Sequence, residues 1–226
     1  MLRPGQLDIW KLHLASTNAG TSEVACLLSQ AETERAARFS FEKDRARFVS
    51  CRGNLRVLLG RYTGLAPEKI VFRYEPQGKP ALAGVGGWQF NVSHSRDVAL
   101  IAISRYDAVG IDIELIDPHF PRHDVAPDIM AADELRDLAA LPAAEQPNYF
   151  FQLWTLKEAL LKAVGGGLSL DPRDIRIRLD SELNPELISA PPDFTHATLH
   201  RMKLEPGYAS ALAVLARVSE IGIFEM

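Results

Sequence analysis

The sequence predicts an α+β protein of two similarly built halves, because an order of helices followed by strands occurs twice along its 226 residues. The first occurrence is marked by a long helical periodicity followed by four short apolar runs. The second begins afresh after those runs, with two helical patterns and three further strand-like segments. No residue-level repeat accompanies this likeness of pattern.

LDIWKLHL alternates enough for a strand, and Ser29 with Glu32 three residues later offers a capping box for a short helix. From Glu42 to about Thr63, Phe48, Cys51, Leu55, Leu58, Leu59 and Tyr62 recur at three- and four-residue steps, and Gly64 with Pro67 closes the pattern. The apolar face of this helix should support a sheet. IVFRY, WQFNVS, DVALIAIS and AVGIDIEL supply its strands, separated by Gly78-Lys79-Pro80, Gly86-Gly87 and Tyr106-Asp107. In the second half IMAADELRDLAAL and NYFFQLWTLKEALLKAV are helical patterns, then DIRIRLD, HATLHRMKL and GYASALAVLARV read as strands. The boundary falls between residues 104 and 118, which divides the chain into 1–108 and 109–226. HFPRHDVAP, with two prolines and no periodicity, reads as a mobile loop, and SELNPELISAPPDF as another.

With 47% hydrophobic and 24% charged residues, the chain has enough apolar material for a full core. No apolar run approaches the roughly 18 residues of a membrane helix, and MLRPGQLDIWKLHLAS lacks the apolar centre of a signal peptide, so a cytoplasmic location without membrane contact is expected. Cys26 and Cys51 form neither a CxxC pair nor a disulfide framework, and both read as small buried side chains. The net charge of -4 argues against nucleic-acid binding. Residues 34 to 61 run against it, with eight basic side chains and three acidic ones. Such a segment attracts phosphates or an acidic partner, or is simply a solvated helix face.

Three acidic residues carry the clearest chemistry. Asp112 and Glu114 lie two apart on a strand, so they leave one face while Ile111 and Ile113 cover the other. Carboxylates on an apolar strand are costly to bury, and a divalent cation is their usual compensator. Glu158 is on a helix, four residues before Lys162 and on a face with Phe151 and Thr155. Phe150, Leu153, Trp154, Leu161 and Val164 make the stripe expected to be buried, so the pair should project away from the core. Taken alone it is a surface ion pair. Ser93 and His94 are neighbours on a strand and point to opposite faces, and no GxSxG elbow is present, which excludes a Ser-His hydrolase. Gly165, Gly166 and Gly167 follow a helix instead of preceding one, so they terminate it and do not cradle phosphate. His119 with His123 and His196 with His200 lack further ligands for zinc.

FNVSHS, VGIDIE and FFQLWTLKEALLKAVGGGLSL, in this order, resemble the signature blocks of the 4'-phosphopantetheinyl transferases of the larger, two-halved Sfp type. The Gly-Lys-Pro at 78 to 80, RFSFEKDRARF ahead of a long helix, and GYASALAVLA extend the resemblance over most of the chain. It implies two α+β halves in a pseudo-two-fold arrangement and a monomer. The implied reaction transfers the phosphopantetheine arm of coenzyme A to a serine of an apo acyl or peptidyl carrier protein, as in a holo-[acyl-carrier-protein] synthase. Asp112, Glu114 and Glu158 would hold Mg²⁺ or Mn²⁺, with Asp112 also beside the coenzyme A pyrophosphate. Glu158 would take the serine proton, and Lys162 would face the phosphates. Ser93 and His94 would contact coenzyme A phosphates, Arg47 would grip the 3'-phosphate, and Lys79 would lie near the adenine. Arg35 and Arg38 fall near further basic contacts of the family, or on a solvated face. Residues 1–108 would then bind the cofactor's phosphates and adenine, and 109–226 would carry the metal site and catalytic helix. A metal-dependent phosphohydrolase and a non-catalytic carrier-binding module are the alternatives.

Overall fold

The computed structural model describes residues 2–165, 170–194 and 196–226. The first half runs through β1 (Gln6–His13), α1 (Ser22–Ala25), α2 (Gln30–Ala37), α3 (Glu42–Thr63), β2 (Phe72–Tyr74), β3 (Pro80–Leu82), β4 (Trp88–Ser95) and β5 (Val98–Arg105). The second runs through β6 (Val109–Leu115), α4 (Arg122–Ile129), α5 (Ala132–Ala140), α6 (Gln146–Val164), β7 (Arg176–Leu179), β8 (Pro185–Ser189), β9 (Thr198–Met202), β10 (Tyr208–Val214) and β11 (Glu220–Glu225). Both long helices end on a glycine in the left-handed region, Gly64 at φ 76° and Gly165 at φ 75°, where a side chain would be strained. The capping box at Ser29 forms in full: the Glu32 N–H donates to Ser29 Oγ, and the Ser29 N–H to Glu32 Oε2.

Two sheets face each other between the two long helices. The first has strand order β11-β1-β5-β4 and the second β6-β10-β9. β5 is buried along nearly all its length because its alternate residues serve two cores. Ala99, Ile101 and Ile103 meet Leu55, Leu58 and Leu59 of α3, while Val98, Leu100 and Ala102 meet Val109, Ile111, Ile113 and Leu212 of the other sheet. The outer face of the second sheet presents Ala209, Ala211 and Ala213 to α6. The layers are therefore helix, sheet, sheet, helix.

Tertiary structure departs from the sequence expectations in several places. HFPRHDVAP is not a loop, since most of it lies within α4, with Pro127 inside the helix. An internal proline costs about 3 kcal/mol, and burial of Val125, Ala126 and Ile129 against α6 offsets it. Phe120 anchors the entry to this helix, its ring 5.4 to 5.8 Å from those of Phe150, Phe151 and Trp154. SELNPELISAPPDF contains β8, because Asp180 Oδ1 accepts the N–H groups of Glu182 and Asn184 and closes a hairpin with β7. IVFRY forms only a small hairpin with β3, outside the two main sheets. The terminal SEIGIFEM, unassigned from sequence, forms β11 and pairs in parallel with β1, so the second half returns to the first sheet. Cys51 is buried as expected, but Cys26 is exposed.

Candidate active site

The outer face of β6 carries Gly110, Asp112 and Glu114, opposite Ala213, Ala211 and Ala209 of β10. This face has few bulky side chains, so α6 lies close upon it. A Cβ at Gly110 would stand 2.0 Å from the Ala159 carbonyl oxygen and 2.4 Å from the Ala163 nitrogen. Glu158 and Lys162 each precede one of those alanines, and close packing therefore brings both beside the acidic strand.

At the junction Lys162 Nζ donates to Asp112 Oδ1 at 2.6 Å and to Ser93 Oγ at 3.2 Å, and Ser93 Oγ donates to Asp112 Oδ1 at 2.7 Å. Asp112 is 2% exposed, and its other oxygen, Oδ2, is buried with no hydrogen-bond partner. An orphaned carboxylate oxygen is costly to bury and suits a cation. Burial holds the Glu158 carboxyl above the ordinary glutamate range, with repulsion from Asp112 adding to it and Lys162 opposing. Glu114 is raised in the same way, chiefly by burial and also by Asp112 and Glu158, while its bond from Ser95 works against the rise. The three carboxylates thus share one electrostatic neighbourhood. Among the described residues, no three His, Cys, Asp or Glu side chains are already closed into a metal-holding cluster. Lys162 supplies the compensating charge from one side of Asp112, and hard oxygen donors of this kind fit a divalent cation on the other.

The expected outward projection of the Glu158–Lys162 pair is corrected. Thr155 is fully buried and Phe151 nearly so, α6 being covered on almost every side. Lys162 pairs with Asp112 because α6 packs this face onto the acidic strand β6 of its own half, with Ser93 of β4 closing in from the other half.

β4 contributes more than the sequence indicated. Asn91, Ser93 and Ser95 leave the same face and bind β6 by side chains: Ile111 N–H donates to Asn91 Oδ1 at 2.8 Å, and Ser95 Oγ donates to Glu114 Oε2 at 2.9 Å. The period-two spacing from Ser93 was the available signal. His94 takes the opposite face and is exposed. Desolvation of its ring lowers its pKa, and the charges of Lys162 and Arg47 add to this. Arg47 is held by Asp97 Oδ1, at 2.9 Å from Nε and 2.7 Å from Nη2, and by Asp44 at 3.3 Å. Lys79 lines the cavity beside Glu158 and Lys162, but its ammonium turns to backbone carbonyls. That cavity, about 290 Å³, is also walled by Asn91, Pro80 and Gly165. A larger one of about 540 Å³ at the Trp88 end of β4 includes none of these residues.

Lys157 was not singled out from sequence. Its ammonium is buried between Glu134 Oε2 at 2.6 Å and the carbonyls of Ile129 and Pro172, which ties α5 and the approach to β7 to the helix of Glu158. The basic segment is largely occupied within the fold. Arg56 binds Glu32 and the carbonyls of Pro67 and Ile70, while Arg52 lies over the Phe72 ring and Arg35 over Phe48. Arg38 remains exposed. Of the three glycines after Val164, Gly165 ends the helix, and Gly166 and Gly167 lie outside the described residues.

Two family models match the chain. Residues 108–213 match the 4'-phosphopantetheinyl transferase superfamily, and residues 15–105 match the 4'-phosphopantetheinyl transferase N-terminal region. The chain is 35% identical to the 4'-phosphopantetheinyl transferase HetI of a Nostoc strain over 189 residues, 82% of this chain and 79% of that protein. It is 29% identical to the 4'-phosphopantetheinyl transferase Sfp of Bacillus subtilis over 187 residues, 82% and 81% of the two chains. Among solved structures, the holo-[acyl-carrier-protein] synthase of Thermotoga maritima aligns with a TM-score of 0.41 at 26% identity, over 49% of this chain and 63% of that one.

Proposed function

This chain belongs to the 4'-phosphopantetheinyl transferase superfamily, and from that premise we propose that the groove between its halves binds coenzyme A and the carrier serine through the residues described above. The enzyme transfers the 4'-phosphopantetheine group of coenzyme A to a serine of an apo carrier protein. The serine oxygen bonds to the phosphorus nearer pantetheine, the pyrophosphate P–O bond breaks, and adenosine 3',5'-bisphosphate leaves. One observation supports this reading: Asp112, with its unpartnered oxygen, is bonded to Lys162 and to Ser93 of the other half, and its charge raises the pKa of both Glu114 and Glu158.

Asp112, Glu114 and Glu158 would hold Mg²⁺, or Mn²⁺, which oxygen donors accept as well. The bound cation would neutralise charge on the pyrophosphate. Glu158 takes the serine proton, being half-buried beside the reacting groups. Lys162 faces the departing phosphate as a point charge, held in place by Asp112 and Ser93. Arg47 and His94 hold the 3'-phosphate. For Arg47 this means exchanging Asp97, half of whose side chain is exposed, for a phosphate.

Residues 1–108 act mainly on the cofactor and 109–226 on the cation and the serine, with β11 crossing back to the first sheet. Having both halves on one polypeptide favours a monomer that meets its carrier transiently, in the cytoplasm where coenzyme A is available. Holo-[acyl-carrier-protein] synthase activity is one form of the reaction, and a panel of acyl and peptidyl carriers would define the range.

Incubation with coenzyme A, Mg²⁺ and an apo carrier, followed by mass measurement, is expected to add one phosphopantetheine. Cleavage of coenzyme A with an unmodified carrier would indicate hydrolysis, and binding alone a non-catalytic module. Asp112→Ala and Glu158→Ala should abolish turnover, and near-normal turnover of Glu158→Ala would sink the mechanism.

A further inference from the structure

Lys79 belongs to the β2–β3 hairpin of the first half but closes on the second. Its ammonium donates to the carbonyl oxygens of Lys162 at 2.6 Å, Ala163 at 3.2 Å and Val109 at 3.2 Å. An ammonium has three protons, and these three acceptors use all of them. Two of the acceptors are last-turn carbonyls of α6, which the helix leaves unpaired and where its dipole favours a cation. The third begins β6, the strand of Asp112.

The hairpin is built to deliver this group. The Glu75 N–H donates to Lys79 O at 2.9 Å, and the Gly78 N–H to Glu75 O at 2.8 Å. It lies directly against the helix end, since a Cβ at Gly165 would be 2.9 Å from Glu75 Oε2. One lysine thus joins the hairpin, the catalytic helix and the acidic strand.

We propose that Lys79 is a positioning residue: it clamps the end of α6 to the start of β6 and so holds Lys162 in reach of Asp112 and Ser93. The proposal rests on the reading of Lys162 as the phosphate-facing lysine. With its donors engaged, Lys79 meets coenzyme A only by its stem and backbone.

Hydrogen exchange on the protein alone tests the clamp without any activity. Lys79→Met should speed exchange in the last turn of α6 roughly tenfold or more, as loss of bonds from a charged donor predicts, while α3 is unchanged. Unaltered exchange would overturn the clamp. In the transfer assay, Lys79→Met should lower kcat about tenfold and leave KM for coenzyme A within about twofold, a split that marks lost positioning. A raised KM with normal kcat would make Lys79 a ligand contact and overturn the proposal. The kcat loss should largely vanish in a Lys162→Met background, and an equal loss in both backgrounds would show that Lys79 does not act through Lys162. If Lys162→Met alone turns over normally, the reading of Lys162 fails, while the exchange result still decides the clamp. Should Lys79→Met not fold, Lys79→Gln, which loses the charge, the reach and one donor, takes its place in both measurements, with changes in the same direction and of roughly threefold or more expected.

Discussion

Gly110→Ala tests how the catalytic helix is seated. Gly110 has an ordinary strand conformation, so the change introduces no backbone strain and the effect is purely steric. The new methyl would lie 2.0 Å from the Ala159 oxygen where ordinary contact begins at 3.4 Å, so the helix backbone must retreat by about 1.4 Å. Overpacking of this kind costs about 1–3 kcal/mol. For a chain of this size each kcal/mol lowers Tm by roughly 2–4 °C, giving an expected fall of roughly 2–12 °C by calorimetry. Activity should suffer more than stability. Glu158 and Lys162 ride on the displaced segment, and a misplacement of about 1 Å can cost on the order of 10²-fold in rate. Carrier modification followed by mass spectrometry measures that loss. A Gly110→Ala protein that melts and turns over like the wild type would refute the close seating of α6 and the positioning derived from it.

Lys157→Met should destabilise the protein by about 3–5 kcal/mol in denaturant unfolding, because it leaves the buried Glu134 carboxylate without its cation; a loss below 1 kcal/mol would count against that pair as a structural centre. Ser29→Ala removes the oxygen that caps α2 and should cost about 1 kcal/mol by the same measurement, with transfer kinetics unaltered. His94→Ala is expected to raise KM for coenzyme A with kcat nearly kept. Arg47→Ala should weaken coenzyme A more than its 3'-dephospho form in a binding titration; an equal loss for both would show that Arg47 does not grip that phosphate.

Local patterns make much of the fold legible in the sequence. The three- and four-residue steps from Phe48 to Tyr62 located α3, Ser29 with Glu32 located the start of α2, alternation located β1, and short apolar runs between turn residues located β4, β5 and β6. Each depends on interactions within a few residues, which a sequence carries directly. The regions that were misread depend on distant partners: α4 survives an internal proline by packing on α6, and β11 exists because β1 offers it an edge.

The candidate site divides along the same line. Sequence alone identified the chemistry of the participants, since carboxylates on an apolar strand need compensation and the ordered motifs resemble one family of transferases. It also set which strand residues share a face, because the period of two is a property of the backbone. Only the tertiary structure decided the pairings: Lys162 with Asp112 instead of Glu158, Arg47 with Asp97, Ser93 and Ser95 with the acidic strand, and Lys79 at the end of α6. These contacts join residues 19 to 83 positions apart, several of them across the two halves, and no local spacing encodes them. Gly110 shows the difference most clearly, since its value lies in the side chain it lacks and in a helix that reaches it only after the chain has folded.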